Sequence, residues 1–214
     1  MLFFNLSPPE IVGIAIALII GITFHEFSHA FVADQLGDHR PRAMGRVSLN
    51  PVDHIDPLGA LVFIIAGFGW GKPVMVNGYA LRPGRIGLSM VAAAGPIANL
   101  IVALVFAVAF RALFMLGFGN EFVLGVLVYT IMYNLALGIF NLLPIPPLDG
   151  YNLALGVLPP RQSFALQRYV QYGFGLLLVL VVLGYATPGG GPIGWLFGLA
   201  RGGTNVLTGI NLFA

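Results

Sequence analysis

No cysteine occurs in the chain, which excludes disulfides, thiolate metal sites and a cysteine nucleophile, so any metal must be held by His, Asp, Glu or Asn. Charge is almost as scarce. Charged side chains make up 8% of the 214 residues, against about 25% in an ordinary soluble domain, too few to clothe a water-facing surface. The net charge of +2 is too small to suggest a nucleic-acid partner. The opening residues MLFFNLSPPE lack the positive region of a signal peptide, so the first apolar run is expected to be retained. No internal repeat and no soluble second domain stands out. With 58% hydrophobic residues, the composition predicts an all-α polytopic membrane protein, one integral-membrane domain over 1–214 in a lipid bilayer.

The apolar runs give five or six membrane segments. The first, over 7–36, starts at Ser7 with Pro8, Pro9 and Glu10 and stops at Gly37. Residues 57–70 are apolar but too short to span, which suits a re-entrant segment. Residues 72–81 contain valines, a tyrosine and a central Asn77-Gly78, which predicts a small β-hairpin at the membrane interface. Further spans are expected over 87–116, 122–143 and 164–185, with a weaker segment over 195–213. The third span ends at Pro144, Pro146 and Pro147, which must break a helix. Arg40, Arg42, Arg46, Lys72, Arg82 and Arg85 lie between the first and second spans, and Arg161 and Arg168 between the third and fourth. Alternation puts both groups on one side, which the positive-inside rule makes cytosolic.

Within the first apolar run, residues 25–29 read H-E-x-x-H. On a helix, positions four apart share a face, so His25 and His29 can hold one zinc ion, and Glu26 can take a proton from an activated water. Two histidines and a glutamate at membrane depth are costly unless they face a bundle interior or a wet cavity and serve a function. A catalytic zinc normally has three protein ligands. Asp149, just beyond the proline break and at the same predicted depth, is the leading third candidate, although it also suits the N-cap of a short helix over 151–158. His54, Asp53 and Asp56 in the polar connection are its rivals. Asn134, Asn141 and Asn152 offer amides to a substrate backbone or to a neighbouring helix.

These motifs resemble the site-2 protease family of intramembrane zinc metalloproteases, in its small single-domain prokaryotic type. The resemblance rests on HEFSHA at 25–30, NPVDHIDPLGALVF at 50–63, FGWGKPVMVN at 68–77, AAGPIANL at 93–100 and FNLLPIPPLDG at 140–150. It implies Zn2+ held by His25, His29 and Asp149, with Glu26 as general base and later proton donor. It associates Asn141 with substrate or oxyanion contacts and His54 with the neighbourhood of the active site. The resemblance covers roughly 21–158; the domain is expected to comprise a catalytic core over about 7–158 followed by C-terminal membrane segments over about 164–213, which match only in hydrophobicity. The expected activity is hydrolysis of a peptide bond in or near the membrane span of a single-span substrate protein, as in regulated intramembrane proteolysis. The expected location is a prokaryotic plasma membrane, with the active site toward the cytosol. GKPVMV stands where relatives often carry KPVPV, and no PDZ-like insertion or CBS-type module is expected from these residues. A transporter or metal-handling protein is the competing class, because buried His and Asp beside broken helices also build transport sites. Glu26, a carboxylate beside the metal that is not a ligand, favours hydrolysis.

Overall fold

The computed structural model describes residues 6–66 and 69–213; the expected short segment 57–70 thus contains two positions, Gly67 and Phe68, outside the described residues. Helix α1 (Pro8–Gln35) begins with two prolines in its first turn, where a missing N–H costs nothing, and Glu10 beside the positive end of its dipole. Ser7 stands at the N-cap position in extended conformation without a side-chain cap. The helix stops where Gly37 takes φ +108°, a value open to glycine, and Asp38 N closes back onto Ala33 O at 3.0 Å.

A connection follows, with the short helix α2 (Arg40–Ala43), a 3-10 turn at Pro51–Asp53 and helix α3 (Pro57–Ala66). Two long helices then run back and forth: α4 (Arg85–Met115), and α5 (Glu121–Asn141), whose first turn is capped by Asn120 Oδ1 accepting from Val123 N at 2.9 Å. The prolines at 144, 146 and 147 end the run, and the chain continues as α6 (Asp149–Val157), α7 (Pro160–Gln167), α8 (Gly173–Ala186) and α9 (Gly191–Thr208).

Three of these helices, α1, α4 and α5, are long and apolar enough to cross a membrane, or four spans result if α7 and the residues Val170–Ala186, bent by 42°, form one. The expected five or six segments are therefore too many. Helix α3 has 10 residues, about 15 Å of rise against a hydrocarbon core of about 30 Å. Helix α9 carries Arg201, Thr204 and Asn205 and falls short in hydropathy.

The expected hairpin over 72–81 is also absent among the described residues. Residues 72–77 form no strand, and the isolated bridge in this region joins Ile55 to Gly71. Asn77 and Gly78 do form a turn, with Ala80 N donating to Asn77 O at 2.9 Å. That turn serves another purpose. Asn77 N donates to Asp38 Oδ2 at 2.6 Å, so a buried carboxylate at the end of α1 takes the hydrogen bond that a partner strand would have taken. Arg40 grips the same carboxylate through Nε and Nη2 at 2.8 and 2.9 Å. Hydrogen bonding from that guanidinium holds the Asp38 carboxyl down to about 2.

The core sits where α1, α4 and α5 pack on one another, with α6 against α4 and α9 against α5. Ala103, Ala107 and Phe110 of α4 meet Val128 and Ile131 of α5. The approach of α1 is closer still: a Cβ on Gly21 would stand 2.6 Å from Asn134 Oδ1. Small residues allow helix backbones to come this near, and close packing holds helices together where no hydrophobic force acts between them. Outward, α4 presents Ile101, Val105 and Val108, apolar groups suited to lipid.

Candidate metal centre

His25 and His29 project from one face of α1, both buried, with ring centroids 4.6 Å apart and planes nearly perpendicular. Asp149 is the first residue of α6. Leu148 takes the N-cap position in extended conformation, so the capping role expected as an alternative for Asp149 is not the one it plays. Its carboxylate turns to the histidines instead. Oδ2 lies 3.0 Å from His25 Nε2 and 3.2 Å from His29 Nε2. One ligand atom from each of the three residues falls within 4.8 Å of the others. A tetrahedral ion with bonds of about 2.0–2.1 Å separates its ligand atoms by roughly 3.3 Å, so the donor set fits zinc.

The other nitrogen of each ring decides where its lone pair points. His25 Nδ1 lies 2.6 Å from Asn99 Oδ1, and His29 Nδ1 lies 2.7 Å from Val91 O. Both partners are acceptors, so the network assigns the proton to Nδ1 in each ring and leaves Nε2 as the electron-pair donor. Asn99 is oriented in its turn. Its amide nitrogen donates to Gly21 O at 3.2 Å and to Asn134 Oδ1 at 3.3 Å, which keeps Oδ1 facing His25. Asn134 Nδ2 donates to Thr130 O at 2.9 Å. Asn99, Asn134 and Thr130 are fully buried. A polar chain thus runs from α5 through α4 to the first histidine of α1.

Helix α4 also gives the centre its space. A Cβ on Gly95 would stand 2.4 Å from His29 Nε2 and 2.7 Å from His25 Nε2. Any side chain there would fill the place where the donors converge. The sequence carries AAGPIANL as a motif of the family resemblance, without marking out Gly95 or Asn99. An asparagine isolated in an apolar span was the available signal, because such a residue needs a polar partner at membrane depth.

Glu26 is partly buried beside His25. The extended backbone at Gly71 crosses it closely: a Cβ on Gly71 would lie 2.9 Å from Ile22 Cγ2 and 3.5 Å from Glu26 Oε1. That crossing is braced from behind by His54. Lys72 N donates to His54 O at 2.7 Å, and the His54 ring is fully buried with Nε2 on Ser48 O at 2.7 Å. His54 therefore stands outside the three-residue group, and its Nδ1 has no hydrogen-bond partner among the described residues. The other two rivals of Asp149, Asp53 and Asp56, also stand outside that group. Asp56 Oδ1 caps α3 by accepting from Gly59 N at 2.8 Å, and Asp53 lies in the 3-10 turn with its carbonyl taken by Arg46. Asn141 is the last residue of α5, its amide nitrogen folded back onto Leu137 O at 3.0 Å. Among the described residues, His25, His29 and Asp149 form the one grouping of three such side chains.

Comparison with known proteins agrees with this chemistry. The model of peptidase family M50 matches residues 118–183, which include the proline break and Asp149. A Bacillus subtilis (strain 168) protein named "Putative zinc metalloprotease YwhC" is 39% identical over 189 residues, covering 85% of this chain and 84% of that protein. Proteins named "Putative zinc metalloprotease Rip2" are similar as well. The one from Mycolicibacterium smegmatis is 35% identical over 193 residues, covering 83% of this chain and 71% of the relative. The one from Mycobacterium tuberculosis (strain H37Rv) is 33% identical over 210 residues, covering 91% and 75%. No solved structure matches the chain significantly.

Proposed function

The chain belongs to peptidase family M50, the zinc metallopeptidases of site-2 protease type, and from that premise we propose that it cuts a peptide bond in or beside the membrane span of a single-span substrate protein. The observation that carries the proposal is the convergence of His25 Nε2, His29 Nε2 and Asp149 Oδ2 deep in a membrane-spanning bundle. His25 lies ten positions before the end of α1, about 15 Å at 1.5 Å per residue, well inside an apolar layer. On this reading His25, His29 and Asp149 hold the zinc ion. Zinc at such a site polarises a carbonyl and makes a water easier to ionise.

The rest of the reaction falls to the chain's own groups. Glu26 accepts a proton from the attacking water, whose oxygen adds to the scissile carbonyl carbon. The carbon–nitrogen bond then breaks, and Glu26 returns the proton to the departing amine nitrogen. Asn99 and Val91 O keep both imidazoles in the tautomer a ligand needs. The single domain comprises the catalytic core over about 7–158 and C-terminal segments over about 164–213. Arg and Lys placement, with Arg111 and Arg201 alone outside the two cationic connections, supports a cytosolic opening, and the bacterial relatives support a prokaryotic plasma membrane. Asn141 and His54 belong to the substrate side, His54 through the backbone it braces beside Glu26.

A substrate helix hides its carbonyls in its own hydrogen bonds, so local unwinding precedes cleavage. The test is reconstitution with model single-span substrates that differ in one helix-weakening Gly or Pro near the scissile bond. The wild type cuts the weakened versions faster than Leu-rich ones, and Glu26→Gln cuts none. Equal rates for all substrates remove unwinding from the account. Preference for soluble unfolded chains removes the intramembrane substrate.

A further inference from the structure

We propose that Arg85 and Ser89, in the first turns of α4, are positioning residues for Asp149, acting from the opposite end of α6. The inference rests on the assignment of Asp149 as a metal ligand.

Helix α6 has nine residues, about 13 Å of rise. It follows a proline-broken stretch, and Leu148 gives its N-terminus no side-chain cap. The end that carries Asp149 has no side-chain cap and rests on the end of α5, where a Cβ on Gly150 would run into Leu142 O and Leu143 O. The other end is held firmly. Ser89 Oγ donates to Leu153 O at 2.9 Å. Arg85 Nη2 donates to Leu155 O at 2.6 Å and to Leu158 O at 2.8 Å. Leu155 and Leu158 lie at the C-terminal end of α6, where a helix leaves carbonyls without intrahelical partners and a cation is favoured by the dipole, and Leu155 O also accepts from Ser163 Oγ at 3.0 Å. The contact is also steric. A Cβ on Gly156 would run into Ser89 Oγ and Arg85 O, so α6 lies directly on the first turns of α4.

A rigid rod pinned at one end has its other end placed. Helix α4 thus presents Asn99 and Val91 O to the two histidines and, through Arg85 and Ser89, sets where the aspartate stands. All three ligands are referred to one helix, though none of them belongs to it.

The molecule contains its own control. Arg111, near the far end of α4, caps the C-terminal end of α9 by the same chemistry, with Nε on Leu207 O at 2.6 Å and Nη2 on Val206 O at 3.1 Å. Helix α9 supplies no member of the metal group. Loss of either arginine removes one helix cap; loss of Arg85 alone disturbs a ligand.

The experiment loads purified full-length protein with Co2+, records the visible absorption that reports ligand geometry, and measures metal affinity by chelator competition. The variants are Arg85→Gln, Arg85→Lys, Ser89→Ala, Arg111→Gln and Asp149→Ala. Arg85→Gln is expected to alter the cobalt spectrum and weaken metal binding by about 10-fold, the lower end of the effect of groups that orient metal ligands. Arg85→Lys, which keeps a cation near the same carbonyls, restores most of it. Ser89→Ala gives a smaller change, and Arg111→Gln lowers thermal stability with the spectrum of the wild type. If Arg85→Gln and Arg111→Gln leave the spectrum equally unchanged, or change it equally, positioning through α6 is overturned. If Asp149→Ala keeps full metal binding and spectrum, the ligand assignment itself fails, a result distinct from either.

Discussion

The helices that carry the metal group and the C-terminal helix α9 differ in whether buried polar groups bond across helices. Around the histidines of α1, polar atoms bond across helices, His25 to Asn99, Asn99 to Gly21 O and Asn134, and His29 to Val91 O, beside bonds internal to a helix such as Thr23 to Ile19 O and Asn134 to Thr130 O. In α9 they turn inward. Thr204 Oγ1 donates to Ala200 O at 2.8 Å and Thr208 Oγ1 to Thr204 O at 2.7 Å, each within its own helix. Both arrangements satisfy the hydrogen bond. Only the first fixes how one helix sits against another. A site that must hold three donor atoms to within a few tenths of an ångström needs that kind of bond, and a segment that only packs does not.

The largest effect should come from Gly95→Ala. The added carbon would stand among the ligand nitrogens, so metal binding should be lost while helical content by circular dichroism is kept. Full metal occupancy in that variant would mean that the donors do not converge beside α4. Asn99→Ala comes next. It removes the acceptor that holds His25 and should weaken metal binding by roughly 10- to 100-fold. Asn99→Asp, which keeps an acceptor, should recover part of this in the same chelator titration. The matching change in α9, Thr204→Ala, removes a bond internal to that helix and should leave metal affinity within about twofold while lowering stability by about 1 kcal/mol. An equal loss of metal binding in both would erase the contrast.

The smallest effect concerns Asp38, which ties residue 77 to the end of α1. Its folded value of about 2 lies below the ordinary 3.8, so its contribution is complete above about 3.8 and is lost as the pH falls toward 2. Amide hydrogen-exchange protection at Asn77, corrected for intrinsic rate, should drop across that window. Asp38→Asn should flatten the dependence.

The sequence made the first histidine pair legible because its spacing is itself a statement about a helix face. Asp149 could be ranked ahead of His54, Asp53 and Asp56 by topology, yet its place beside both Nε2 atoms required the turn of α6 onto α4. Asn99 and Gly95 were legible only as members of an apolar, small-residue stretch. Their roles depend on which side of α4 faces α1, and a span apolar on all sides carries no periodic signal to say so. The hairpin expected from Asn77-Gly78 failed for a similar reason: the turn residues were read correctly, but the hydrogen-bond partner came from Asp38, remote in sequence. The count of spans failed at α3 and α9, where apolar composition outran helix length or was broken by Arg201 and Asn205.

The most direct test of the account is the zinc content of purified protein, measured for the wild type and for His25→Ala, His29→Ala, Asp149→Ala and His54→Ala. The arrangement of donors predicts about one zinc per chain in the wild type and in His54→Ala, and loss of tightly held zinc in each of the other three. Full retention in His25→Ala, His29→Ala and Asp149→Ala would contradict it, and retention in Asp149→Ala with loss in His54→Ala would give the third position to His54.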